Sequence, residues 1–251
     1  MMNKQHNIGS GTPTRFKTLL GLMGINDLLQ LFYPRLCILC GKQLTEDEPH
    51  ICLHCFCDLP RTNYHLRIHN PTLKLFAGTL HINKIINFLL FEKDGKVQQL
   101  IHSIKYFGNK QLAKYLGRMA ALEIKTDGLF KGIDALIPIP LHPRKKRKRG
   151  YNQSEWIAKG IETVCQSPIV NDVLFRAINT DSQTRKTIYE RHRNMEEIFS
   201  LKNADSLSGK HILLIDDVIT TGATINSCIK TLSAIPDLRI SIFSLSVVHI
   251  L

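Results

Sequence analysis

The hydrophobic positions change period along the chain. Between 18 and 33, Leu19, Leu22, Met23, Leu28, Leu29, Leu31 and Phe32 recur at roughly helical spacing. Pro34 cannot continue a helix, so one short helix is expected ahead of it. Beyond the turn-forming pair Asn70-Pro71 the pattern becomes α/β. Leu75–His81 reads as a strand. Val97, Leu100, Ile101 and Ile104 share one helical face, Gly108 is a break, and Leu112, Leu116 and Met119 begin a second helix. Ile133–Ile139 (IDALIPI) is a short continuous apolar run, the mark of a strand buried on both faces. A helix follows from about Ser154 to Cys165. Then come a second buried strand at Ile212–Ile215, a helix over Ala223–Ala234 ended near Pro236, and a last strand over Arg239–Val248. Strand, loop, helix and strand at this spacing form a βαβ unit with parallel strands.

This divides the chain into a polar, flexible extension (1–17), a helix with a cysteine-rich module (18–70) and an α/β domain (71–251). No stretch approaches the roughly 20 apolar residues of a membrane span. The runs 18–33 and 85–91 are too short or, in the first case, broken by Asp27. The first residues lack the apolar core of a signal peptide, so a cytoplasmic location is expected. The formal net charge of +12 exceeds what solubility needs and points to an anionic partner: a phosphorylated small molecule, a nucleic acid or an acidic surface.

Of the 7 cysteines, Cys37, Cys40, Cys52, Cys55 and Cys57 are clustered. In a reducing compartment such clustering indicates metal rather than disulfides. Cys37-x2-Cys40 and Cys52-x2-Cys55 form two knuckles, each offering two thiolates to one tetrahedral ion. Four thiolates make a closed, structural Zn²⁺ site with no open position for catalysis. Cys57, His50 and His54 are spare donors read as bystanders, and Cys165 and Cys228 as small residues in helices.

The strand Ile212–Ile215 runs into Asp216 and Asp217, then Thr220, Thr221, Gly222, Ala223 and Thr224, then a helix. Ligands of open α/β sheets bind outside the carboxyl ends of the strands. A helix N-terminus there offers unpaired N–H groups and a partial positive charge to an anion. Gly222 lets the backbone come close to a phosphate, and the threonine hydroxyls add donors. Two ionised aspartates accept hydrogen bonds and suit the hydroxyls of a ribose. An acidic helix cap alone would explain a single Asp or Thr, but not this combination. The Gly-Lys-Ser/Thr of a Walker loop and the G-x-G-x-x-G of a dinucleotide loop are both missing.

A basic loop is expected after Ile139, where Arg144, Lys145, Lys146, Arg147, Lys148 and Arg149 are consecutive. Lying at the same sheet edge, these six cations could neutralise a pyrophosphate or grip a nucleic-acid backbone. Gln183–Phe199 is a second basic stretch, and Tyr106, Phe107 and Tyr151 sit among cations where they could stack bases.

The segment ILLIDDVITTGAT resembles the phosphoribosyl-pyrophosphate signature of type I phosphoribosyltransferases. Asp216 and Asp217 match its acidic pair and Thr220–Thr224 its 5-phosphate loop. The resemblance implies an α/β, type I phosphoribosyltransferase-like parallel sheet with flanking helices, preceded by a small zinc-ribbon module. It also implies phosphoribosyl pyrophosphate bound with Mg²⁺. The whole order of motifs is the zinc ribbon, K-Y-x-G (Lys105–Gly108), R-G-Y-N-Q (Arg149–Gln153), Gln183-Thr184, Arg191, Asn194 and Phe199, then the phosphoribosyl loop. That order closely resembles the ComF family. Membership would imply a cytoplasmic role in DNA uptake during natural transformation, acting on single-stranded DNA with a competence helicase and a DNA-processing protein. The alternative is an active phosphoribosyltransferase with an acceptor the sequence does not name. Glutaminase activity is not expected, because the chain begins Met-Met-Asn with no N-terminal cysteine nucleophile.

Overall fold

The computed structural model describes residues 33–78, 82–126, 128–176 and 199–249. The extension over 1–17, the expected helix before Tyr33 and the basic stretch from Gln183 up to Phe199 lie outside them. Contacts divide the chain into two compact units, Met1–Leu53 and His54–Leu251.

In the first unit a tight turn organises the chain. The Gly41 N–H donates to the Cys37 carbonyl at 2.9 Å, with Gly41 at φ +71°, a conformation glycine adopts without penalty. The Cys37 N–H returns to Lys42 O at 2.8 Å, and Leu36 pairs with Gln43 in an antiparallel bridge. Glu48 clamps the next turn by accepting from the N–H groups of Thr45 (3.0 Å) and Leu53 (2.6 Å).

The second unit holds a parallel four-stranded sheet in the order β1-β6-β5-β2, with β1 Ile82–Phe91, β2 Ala135–Pro138, β5 His211–Ile219 and β6 Arg239–Val248. A short antiparallel pair, β3 Leu174–Arg176 and β4 Phe199–Leu201, stands apart from it. The helices are α1 Leu53–Cys57, α2 Lys96–Tyr106, α3 Lys110–Lys125, α4 Pro143–Arg149, α5 Gln153–Cys165 and α6 Ala223–Leu232. Alternation along β5 sends Ile212 and Leu214 into a core with Ile225, Cys228, Ile229 and Leu232 of α6. The other face is covered by α5 on β2 and β5, α3 on β6 and α2 on β1. Helices α3 and α5 cross at two glycines. A Cβ on Gly160 would lie 2.1 Å from Lys114 O, and one on Gly117 2.3 Å from Ile157 O, so no larger residue fits either without moving a backbone. Among the described residues no helix is long and apolar enough to cross a membrane.

The expected strand over Leu75–His81 is corrected for its described part. Pro71–Phe76 is 3-10 helix, begun by Asn70, whose side chain accepts from the Thr72 N–H at 3.0 Å. Proline is favoured at a first helical position, where its missing N–H costs nothing. The strand instead starts at Ile82. Its polar Asn87 is fully buried, donating to Thr72 Oγ1 at 2.6 Å and accepting from Ser244 Oγ at 2.8 Å. The basic loop is likewise corrected to a helix, α4. Pro143 occupies its first turn, His142 Nδ1 accepts from the Arg144 N–H at 3.2 Å, and Gly150 at φ +78° closes it.

Candidate functional site

The register places the site. Pro138 of β2 pairs with Ile215 of β5, and the Ile139 N–H donates to Ile215 O at 2.9 Å. The segments leaving these two strands therefore share one edge of the sheet. There a cavity of about 510 Å³ opens, within the range of small-molecule sites. Asp216 and Asp217 of β5, Thr220 of the following loop and Thr224 of α6 line it. Lys145, Arg149, Asn152 and Ser154 line it from the β2 side, and His102, Lys105 and Tyr106 from α2.

The strand β5 continues past the aspartates to Ile219, so Asp216 and Asp217 stand on the strand itself. Thr220 to Thr224 then wrap a small recess of about 30 Å³, lined by Asp216 as well. Gly222 caps α6 at φ +75°, and the Thr221 hydroxyl accepts from the Ala223 N–H at 3.4 Å. A Cβ on Gly222 would come to 3.2 Å from both Leu75 Cβ and Phe76 Cε1, crowding those side chains, and the left-handed backbone there favours glycine. Asn226 fastens the loop to the same segment, donating to Leu75 O at 2.9 Å.

Electrostatics separates the two acids. Asp217 Oδ2 pairs with Lys105 Nζ at 3.0 Å, both side chains largely covered. Asp216 Oδ1 accepts from Ser154 Oγ at 3.3 Å and from the Asp217 N–H at 2.9 Å. Burial, with the adjacent Asp217 charge second, pushes the Asp216 carboxyl up to about 7. Tyr151, whose hydroxyl donates to Ile104 O, is driven up to about 12, first by burial. It is a buried strut between α5 and the end of α2, not a surface for stacking.

Helix geometry sorts the six cations. Lys145 and Arg149, four apart, share a face and reach the cavity. Lys146 and Arg147 line a second groove of about 590 Å³ with Phe175 and Arg176, while Arg144 and Lys148 line neither. Arg149 is held by Gln153 Oε1 at 2.8 Å. Sequence reasoning passed over Lys105, His102 and Ser154 as site residues. Lys105 was visible in the K-Y-x-G motif, at the end of an amphipathic helix. His102 and Ser154 carried no local signal, since only the tertiary fold brings them to the edge.

The thiols of Cys37, Cys40, Cys52 and Cys55 lie within 4.8 Å of one another. Cys40 Sγ and Cys52 Sγ are 3.7 Å apart. A tetrahedron with Zn–S bonds of about 2.3 Å has edges of about 3.8 Å, so the spacing fits a four-thiolate ion. Burial would raise the Cys37 thiol, but N–H groups of Cys52, Cys40 and Leu39 outweigh it and bring it down to about 6, the direction a ligating thiolate needs. Cys57, His50 and His54 are outside this cluster.

No family model matches the chain. It is 26% identical over 211 residues to DNA utilization protein YhgH of Escherichia coli, covering 78% of this chain and 89% of that protein. It is 27% identical over 151 residues to competence protein F of Haemophilus influenzae (60% and 66%). With competence protein ComFC of Bacillus subtilis it shares 35% over 97 residues (39% and 37%). These relatives bear out the resemblance to the ComF family. Solved structures similar in part include an allosteric regulatory enzyme of purine biosynthesis (TM-score 0.39, 14% identity, 56% of this chain but only 29% of that one). Another is an adenine phosphoribosyltransferase from Leishmania tarentolae (TM-score 0.35, 11%, 63% and 90%).

Proposed function

We propose that the chain binds phosphoribosyl pyrophosphate in the cavity at the carboxyl ends of β2 and β5, carries a structural zinc ion on its four thiols, and acts with single-stranded DNA in the uptake process that its relatives' competence names indicate. The observation carrying this reading is the convergence of an acid pair, a threonine-lined helix start and the cations Lys105, Lys145, Arg149 and Arg176 on one cavity. The recess at Thr220–Thr224 suits the 5-phosphate, which the α6 N-terminus stabilises. Asp216 and Asp217 suit the ribose diol. A carboxylate accepts through two oxygens, so Lys105 at Asp217 Oδ2 leaves the other for a sugar hydroxyl. Lys145 and Arg149 face the pyrophosphate. Among the described residues the same two carboxylates are the only acids lining the cavity; with the ligand's own phosphates they would form the oxygen set Mg²⁺ takes, and the ion would supply charge neutralisation at the pyrophosphate.

Calorimetry with phosphoribosyl pyrophosphate and Mg²⁺, with and without a short single strand, tests the ligand, the partner and their coupling. Saturable, Mg²⁺-dependent heat and oligonucleotide binding that weakens steeply with salt are expected. No heat from the sugar phosphate would remove the ligand assignment, and a salt-independent or missing oligonucleotide signal would remove the DNA. Pyrophosphate release in the presence of purine, pyrimidine and amine acceptors would add transferase activity to the binding role.

A further inference from the structure

The far end of α2 exposes an aromatic surface at the rim of this cavity. Tyr106 is 57% and Phe107 76% exposed, on consecutive residues. Single exposed apolar side chains are ordinary, but these two share a third ring. His102 lies 4.6 Å from the Tyr106 ring centroid, tilted by 43°, and 5.4 Å from that of Phe107, edge to face. His102 and Tyr106 line the cavity, and Phe107 adjoins it through its contact with His102. The Arg149 guanidinium stands 5.7 Å from the Tyr106 centroid. The surface has a firm support: Gly108 at φ +67° ends the helix just past Phe107, and Tyr151 bonds the Ile104 carbonyl one turn back.

We infer that His102, Tyr106 and Phe107 form a base-stacking platform, and that its occupant is a base of a single-stranded nucleic acid whose backbone runs along α4. The inference rests on the nucleic-acid reading above and names the place where the strand is held. Aromatic faces among cations are the sequence-tolerant way to hold unpaired bases, and a guanidinium beside the ring strengthens it. The charge is complementary: Lys145 and Arg149 border the same cavity, and the rest of the α4 cations are exposed beside them. A free base would be enclosed between two walls, whereas two of these rings open to solvent, as a base tethered to a strand allows.

The experiment uses the full chain and two fluorescent probes of equal length, an oligothymidylate and an abasic oligonucleotide carrying the same phosphates. Phe107→Ala and Tyr106→Ala are compared with Phe107→Trp by anisotropy, with thermal midpoints checked against the parent. The alanine variants are expected to weaken oligothymidylate binding by about tenfold each. They leave the abasic probe unchanged, and Phe107→Trp keeps the parent affinity. Unchanged oligothymidylate binding, or equal losses on both probes, overturns the platform while the nucleic-acid reading stands. Thymidine binding as tightly as the oligonucleotide would also overturn it, because the surface would then serve a free base. No binding of oligothymidylate to the parent chain overturns the reading and the platform together.

Discussion

Strand β5 begins with an ionisable residue and carries two more toward its carboxyl end, and the two ends treat them in opposite ways. At the amino end the His211 N–H donates to Asp134 Oδ2 at 2.7 Å. Its Nε2 meets Ser241 Oγ at 2.9 Å and Asn83 Nδ2 at 3.3 Å, with the residue 4% exposed. At the carboxyl end two acids sit side by side, one held by Lys105 and the other pushed up to about 7. Polar groups that find mixed partners within the fold stabilise it. A patch that concentrates one kind of donor or acceptor at an opening bears a local electrostatic cost, which a ligand of opposite kind relieves. The cysteine quartet belongs with the second end, since four thiols at metal-site spacing repel one another as thiolates until an ion joins them.

The largest effect should follow from breaking that quartet. Cys37→Ser should release zinc and unfold the Cys37–Cys55 module, because structural zinc contributes apparent free energies of about 10–16 kcal/mol in zinc-finger peptides at neutral pH. Metal content by emission spectroscopy checks it, and full occupancy in the variant would remove Cys37 from the ligand set. Next comes the carboxyl end of β5. Asp216→Ala with Asp217→Ala should abolish phosphoribosyl-pyrophosphate binding in calorimetry with the fold retained, the relief of the acid pair's repulsion being set against the loss of the Lys105 partner. Retained binding in the folded double variant would break the ribose assignment. The amino end predicts the reverse. His211→Leu should cost about 1–3 kcal/mol of stability by leaving Ser241 and Asn83 short of a partner, with ligand affinity unchanged. A loss of affinity without a loss of stability would erase the distinction between the ends.

Much of this was legible in the sequence, for identifiable reasons. β6 runs over Arg239–Val248 as expected, and the strand at β2 falls inside the expected Ile133–Ile139, because parallel strands buried on both faces leave continuous apolar runs. The cysteine spacing carried the thiol cluster in the same way. β1 was hidden because its buried Asn87 breaks the apolar pattern, and its compensation comes from Thr72 and Ser244, 15 and 157 residues away. α4 was hidden because six like charges argue against a helix, while its caps, His142 and Gly150, are single residues at its ends. Lys105 reaches Asp217 across 112 positions of chain, a contact no local pattern encodes.

The pH dependence of stability sharpens the comparison, since the two ends should give slopes of opposite sign. Burial, then the charge of Arg239, holds His211 below its ordinary value, although the Gly132 backbone and Asp134 pull it up and Lys84 adds to the depression. The unfolded chain then takes up a proton more readily than the native one. The stability from neutral His211 is present above about 6.5, its unfolded value, and is lost as pH falls toward the folded value. Asp216 is raised, so its contribution is present below the ordinary carboxylate range and is lost as pH rises through about 7. Urea midpoints at pH 5 and pH 8 read both. The deficit of His211→Leu relative to the parent should shrink at pH 5, whereas the advantage of Asp216→Asn should grow at pH 8. Because each comparison subtracts the parent at the same pH, other titrating groups cancel to first order. Two differences sloping the same way would mean that the ends of β5 are not built on opposite principles.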